Sequence, residues 1–201
     1  MADVKERFVL TAINVAPMAK EFDVNMAKDV AYNHVEANAG YFWIGHEQNP
    51  GCTVAEHCYG VYKDTPFDFY VPDDGKHPTL TLAIWDEGGS AQVPRYQPVA
   101  VNPAGALVFT GLVVGDSNRY EVYNNHDVDS PFGVTGGKLR TLTSPHGADF
   151  KACRETVPNA NGKVAYKIYA DVNAYSAGPC AKIQLNTTTQ AYTVPVAEYY
   201  Y

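Results

Sequence analysis

The chain has 201 residues, 46% of them hydrophobic and 18% charged, enough apolar material for one buried core and one domain. Charged, Gly or Pro residues break every apolar run well short of the roughly 20 residues a membrane-spanning helix needs, so no membrane partner is expected. Fifteen Lys and Arg against 22 Asp and Glu give a net charge of −7, a surface that repels phosphate backbones, and no nucleic-acid partner is expected either.

Along the chain the apolar residues recur mostly with period two, the mark of strands with one buried face. Phe8, Leu10 and Ala12 form the first such run. From Phe22 to Val30 two periods compete. Phe22, Met26 and Val30 fit one helix face, whereas Phe22, Val24 and Met26 alternate like a strand; the helix formers Ala19, Lys20, Ala27 and Lys28 favour one short helix. Tyr41-Phe42-Trp43 must place at least one ring on each side of a strand, and Asp64 and Asp68 share a strand face by parity. Leu80, Leu82 and Ile84 follow, with Trp85 on the opposite parity. Val99 and Val101 are separated from Leu107 and Phe109 by the turn Asn102-Pro103-Ala104-Gly105. Val164, Tyr166, Ile168, Ala170 and Val172 face one way, and Lys163, Lys167 and Asp171 the other. Turn chemistry at Pro50-Gly51, Asp73-Asp74-Gly75, Glu87-Gly88-Gly89, Gly136-Gly137 and Asn161-Gly162 punctuates these runs. The pattern predicts an all-β, single-domain antiparallel β-sandwich or closed barrel with at most one short helix, with a β-trefoil as the alternative. The domain spans residues 1–185, and the Tyr- and Thr-rich residues 186–201 form a C-terminal extension or a last strand.

Four cysteines, Cys52, Cys58, Cys153 and Cys180, allow three pairings if all are oxidised. The favoured one is local, Cys52 with Cys58 and Cys153 with Cys180; four reduced thiols in a cytosolic core are the competing reading. Met1 to Arg7 is charged and lacks the apolar segment of a leader, so the chain is either cytosolic or a secreted protein whose native signal peptide Met1 has replaced. Asn186-Thr187-Thr188 is a glycosylation sequon placed just past the expected last core strand.

Catalytic and metal signals are weak. His46, Cys52, His57 and Cys58 offer zinc donors, but their spacing matches no ribbon or finger, and a disulfide loop with two incidental histidines explains them better. No metal and no cofactor is expected. Glycoside hydrolysis needs two carboxyls about 5 Å apart for retention, or about 6.5–9.5 Å for inversion. Asp64, Asp68 and Glu121 are the strand-borne candidates, while Asp73, Asp74, Asp86 and Glu87 read as solvated turn formers. There is no G-x-S-x-G elbow, Ser144-Pro145-His146 reads as a turn, and Asn125-His126-Asp127-Val128-Asp129 lacks the spacing of a calcium loop. Aromatics say more: 15 Tyr, 8 Phe and 2 Trp are present. Exposed Tyr or Trp rings stack on the C–H faces of sugars, which makes Trp43, Trp85 and Tyr41 the candidate ligand-binding residues; burial in a two-sided core is the competing use.

The order of these features resembles the small secreted fungal cell-wall proteins of the PhiA type, a group that includes mould allergens. Phe8-Val9-Leu10-Thr11-Ala12-Ile13 is similar to that family's opening strand, and Tyr41-Phe42-Trp43-Ile44-Gly45 followed by Cys52 to its aromatic-Gly strand and first cysteine region. The stretch from Gln97 through Asn102-Pro103-Ala104-Gly105 to Thr110 is similar to its central hairpin, and Phe150-Lys151-Ala152-Cys153, Val164 to Asp171, then Cys180 and Ala181-Lys182-Ile183 to its closing Cys, strand and Cys. The likeness runs over roughly residues 7 to 185, departs at Phe22 to Asn38 and at the Tyr-rich end, and brings no catalytic residues. It implies a secreted or wall-associated, disulfide-containing β protein. The expectation is therefore a non-enzymatic, extracellular cell-wall protein that binds wall polysaccharide through exposed aromatics and Asp or Asn side chains. The alternatives are a glycan hydrolase with paired carboxylates, and a self-assembling or host-directed structural protein whose Tyr-rich tail meets another protein.

Overall fold

The computed structural model describes residues 4–46, 50–51, 64–70, 79–82, 95–109, 113–114, 132–141, 150–158, 160–170, 173–189 and 198–199. Its elements in chain order are β1 (Val4–Pro17), α1 (Val24–Val30), β2 (Glu36–Asn38), β3 (Tyr41–Ile44), β4 (Pro50–Gly51), β5 (Phe67–Tyr70), β6 (Thr79–Leu82) and β7 (Arg95–Val101). There follow β8 (Leu107–Phe109), β9 (Val113–Val114), β10 (Phe132–Thr135), β11 (Lys138–Thr141), β12 (Phe150–Thr156), β13 (Val164–Tyr169), β14 (Cys180–Thr189) and β15 (Glu198–Tyr199). Among the described residues one helix and all-antiparallel strands agree with the predicted all-β class.

The main ladder runs β1-β5-β6-β7-β8-β3-β13-β12-β14, and β14 pairs with β1 again, so the path returns to its start as a closed barrel does. The β10–β11 hairpin attaches to β14 beyond the end of β12. Its two-residue turn, Gly136-Gly137, has φ of 57° and 70°, and Thr135 pairs directly with Lys138. Two consecutive left-handed residues suit glycine and match the twist of the flanking strands. In β1 the register slips between Ile13 and Ala16, where Asn14 takes φ 52°, a bulge that bends this 14-residue strand.

Inside the ladder, side chains of one parity fill the core. Phe42 lies 5.4 Å from both Phe67 and Phe109, ring centre to ring centre, and Phe67 stacks on Phe8 at 6.3 Å. Leu10, Ile168, Ile183 and Leu185 complete it, all buried. The helix starts at Asp23, whose carboxylate accepts hydrogen bonds from the N–H groups of Asn25 (2.8 Å) and Met26 (2.9 Å). It turns Met26 and Val30 to the core, where Phe22, just before the cap, is buried too, and leaves Val24 67% exposed, which is why the helical period prevails over the alternating one.

Outside the ladder a second, smaller layer forms. Trp43, Val157 and Ala165 make one apolar cluster, and Cys153, Cys180, Tyr169 and Ala106 another. Cys153 and Cys180 stand directly opposite each other in the β12–β14 pair and are disulfide-bonded. Gly178 lets the loop before β14 lie against β12: a Cβ there would sit 1.7 Å from the Arg154 carbonyl oxygen. Val164, expected among the inward residues, is 40% exposed because it opens β13 at the barrel rim. β14 continues through residue 185 to Thr189 without a break, so the sequon lies within this strand and not beyond it; the β-branched Thr187, Thr188 and Thr189 keep pairing with β1. β15 pairs with β4 of the same chain.

Candidate functional site

Trp43 is 1% exposed, packed under Val157 and Ala160, and its indole N–H donates to the Asn38 carbonyl at 3.0 Å. Its expected role as a sugar platform is corrected by this burial: the strand is covered on both faces, so period-two parity could not decide which ring meets solvent. Tyr41 is half-buried, edge-on to Trp43, with the Lys167 ammonium 3.7 Å from the centre of its ring. Lys167 also lies 3.6 Å from Glu155, whose carboxylate accepts hydrogen bonds from the Tyr169 hydroxyl and, at 3.0 Å, from Ser176. Burial and the bond to Glu155 push the Tyr169 hydroxyl well above the ordinary tyrosine range. This aromatic and charged cluster is internally satisfied. Trp85, Cys52, Cys58, His57, Glu121, Asn125 to Asp129 and Ser144 to His146 lie outside the described residues.

Asp64 and Asp68 do not act together. Asp68 is 3% exposed and is gripped by the fork of Arg7, Nε to Oδ1 at 2.5 Å and Nη2 to Oδ2 at 2.6 Å; the two residues are direct partners in the β1–β5 ladder. Asp64 sits just before β5, its Oδ2 at 3.6 Å from His34 Nε2. Beside it is Glu36, which sequence periodicity does not single out. Glu36 Oε2 accepts from both the Thr65 N–H and the Thr65 hydroxyl, each at 2.8 Å, and that hydroxyl accepts from the Ala37 N–H at 2.9 Å. Burial raises the Glu36 carboxyl from 4.5 to about 8 against the lowering effect of the Thr65 bonds, and the Asp64 charge pushes it further in the same direction.

The outer face of β1 and its neighbours is more open. Thr11 pairs with Asn186 of β14 on one side and bridges to His34 on the other, and Asn186 pairs in turn with Lys138 of β11. These positions alternate with the buried Leu10, Ala12, Leu139, Leu185 and Val35, so all face outward. The Thr11 hydroxyl and His34 Nδ1 are 3.0 Å apart, and Lys138 Nζ donates to Gln184 Oε1 at 2.7 Å. Asn186 is half-exposed, and among the described residues no side chain hydrogen-bonds its amide. Two residues before His34, Tyr32 is 78% exposed at φ 62°, its N–H bonded to the Ala12 carbonyl at 2.8 Å. None of Thr11, His34 or Lys138 carries a motif. Only the ladder register brings them together.

Among the described residues no group of three or more His, Cys, Asp or Glu side chains is placed to hold a metal ion, and no helix is long and apolar enough to cross a membrane. Compared with known proteins, the chain matches no family model, no curated protein and no solved structure.

Proposed function

We propose that this chain is a non-enzymatic, secreted protein of the fungal cell wall that binds wall polysaccharide. One observation carries the reading: the buried carboxylates Asp68 and Glu36 and the partly buried Glu155 are committed within the chain. Asp68 goes to Arg7, Glu155 to Tyr169, Ser176 and Lys167, and Glu36 to Thr65. Groups so held fix a fold more readily than they turn over a substrate. The Cys153–Cys180 bond agrees with an oxidising compartment, and the PhiA-type resemblance supports the wall.

A glycan hydrolase is the second reading, favoured by Glu36. A carboxyl that keeps its proton near neutrality beside a second carboxylate is what a general acid requires, although Glu36 is only 7% exposed. Incubating the oxidised protein with insoluble chitin, β-glucan and mannan separates the two. Depletion of protein from solution with no soluble sugar released is the expected result. Sugar release that Glu36→Gln abolishes would establish the hydrolase, and neither binding nor release would overturn both.

A further inference from the structure

We infer that the row Thr135, Lys138, Asn186, Thr11 and His34, ending at Asp64, is a binding site for an extended β-1,4-linked glycan of the chitin type, lying across the strands. The inference rests on the polysaccharide-binding reading and gives it a place and a ligand class. Each residue from Thr135 to His34 is the direct register partner of the next: Thr135 with Lys138, Lys138 with Asn186, Asn186 with Thr11, and Thr11 with His34. Such a row repeats at the strand spacing, about 4.8 Å. That is close to the advance of one pyranose along an extended β-1,4 chain, so successive sugars meet successive side chains. Helical β-1,3 chains and branched mannans do not keep this step.

The chemistry of the row also fits. It mixes donors and acceptors that are half-exposed or exposed: an ammonium, an amide, two hydroxyls, an imidazole and a carboxylate. The Asn186 amide, at its middle, can give and accept one bond each to a hydroxyl and an N-acetyl group, and makes no side-chain bond among the described residues. Tyr32, exposed beside the His34 end, offers a ring face to sugar C–H groups. An N-glycan on Asn186 would stand on the row itself, so occupancy of the sequon and occupancy of the site exclude one another.

The test uses full-length oxidised protein from a host that adds no N-glycans, with chitohexaose as the probe and laminarihexaose as the comparison, titrated by calorimetry. Asn186→Ala removes no intramolecular side-chain bond seen in the described residues, and Lys138→Met keeps the apolar stem. Each is expected to weaken chitohexaose about tenfold, the loss of one good hydrogen bond, with the melting temperature unchanged for Asn186→Ala and slightly lowered for Lys138→Met, which gives up its bond to Gln184. Tyr175→Ala, at a side chain 87% exposed in the 173–179 loop, is expected to leave affinity unchanged. Binding by the parent that survives Asn186→Ala and Lys138→Met would overturn the row while leaving a polysaccharide-binding function in place. Equal affinity for laminarihexaose would overturn the ligand class. No binding of any wall polymer by the parent would overturn the function itself.

Discussion

Replacing Glu36 by Gln turns the buried acid of β2 into a measurement. In the folded chain burial holds its carboxyl at about 8, against 4.5 when free. Below the lower value both folded and unfolded chains carry the proton, and the acid costs nothing. Between the two values the unfolded chain has released its proton and the folded chain keeps it, so stability falls as pH rises, by at most ~1.4 kcal/mol per unit. Past the upper value both are ionised, and the accumulated cost stays constant. The full separation sets an upper bound of roughly 5 kcal/mol, and relaxation around a group that already accepts two bonds from Thr65 brings the realised figure to about half of that. Gln keeps the shape and the acceptor oxygen facing Thr65 but does not titrate. Denaturant unfolding of parent and variant from about pH 5 to pH 8 is the assay. The stability of Glu36→Gln relative to the parent is expected to climb across that range by about 2–3 kcal/mol and then level off. Parallel profiles would refute the assignment of a buried, proton-bearing Glu36.

Other outcomes follow from the same packing. Arg7→Met strands the Asp68 carboxylate and is expected to cost about 3 kcal/mol; Arg7→Met with Asp68→Leu recovers most of the loss, and thermal melts of the three chains check it. Replacing both Cys153 and Cys180 by Ala opens a loop of sequence separation 27; roughly 3.5 kcal/mol is expected to be lost in equilibrium unfolding. Gly178→Ala collides with the Arg154 carbonyl and is expected to destabilise by about 2 kcal/mol or more by the same measurement. Trp43→Phe, which deprives the Asn38 carbonyl of its donor, is expected to cost about 1–2 kcal/mol while leaving retention on chitin unchanged.

What the sequence made legible and what it did not divide along one physical line. Alternation reports a face, so Phe8, Leu10, Leu80, Leu82, Val99 and Ile168 could be assigned to the core from their own neighbours. The spacing Phe22, Met26, Val30 and the helix formers around it encode a helix locally as well, and the structure adds the cap at Asp23. The pairing of Cys153 with Cys180 is legible because it is local, and the β12–β14 register sets the two opposite each other. Neither the burial of Trp43 nor the protonated state of Glu36 is local. Each depends on which distant segment lies above it: Val157 and Ala160 over the indole, Thr65 against the carboxyl. The separation of Asp64 from Asp68 has the same origin, since parity puts them on one side and only β1 supplies the Arg7 that claims the second. The candidate glycan row is register alone. A period-two pattern is unchanged when a strand slides by two residues, and it names no neighbour.

The closing pair of the barrel joins Phe8 to Thr189 and Pro17 to Ala181, the beginning of the chain to nearly its end. During synthesis β1 emerges long before its main partner β14. Until then Phe8 and Leu10 have no complete interior, and the β1 edge toward β14 is an open template for other strands. Contacts so far apart in sequence make folding slow, in the range of milliseconds to seconds. Cys180 begins β14, and its bond to Cys153 fixes that strand beside β12 in the register that β1 needs. Oxidation therefore prepares the seat into which β1 docks, and a chain that stays reduced leaves β1 exposed for longer.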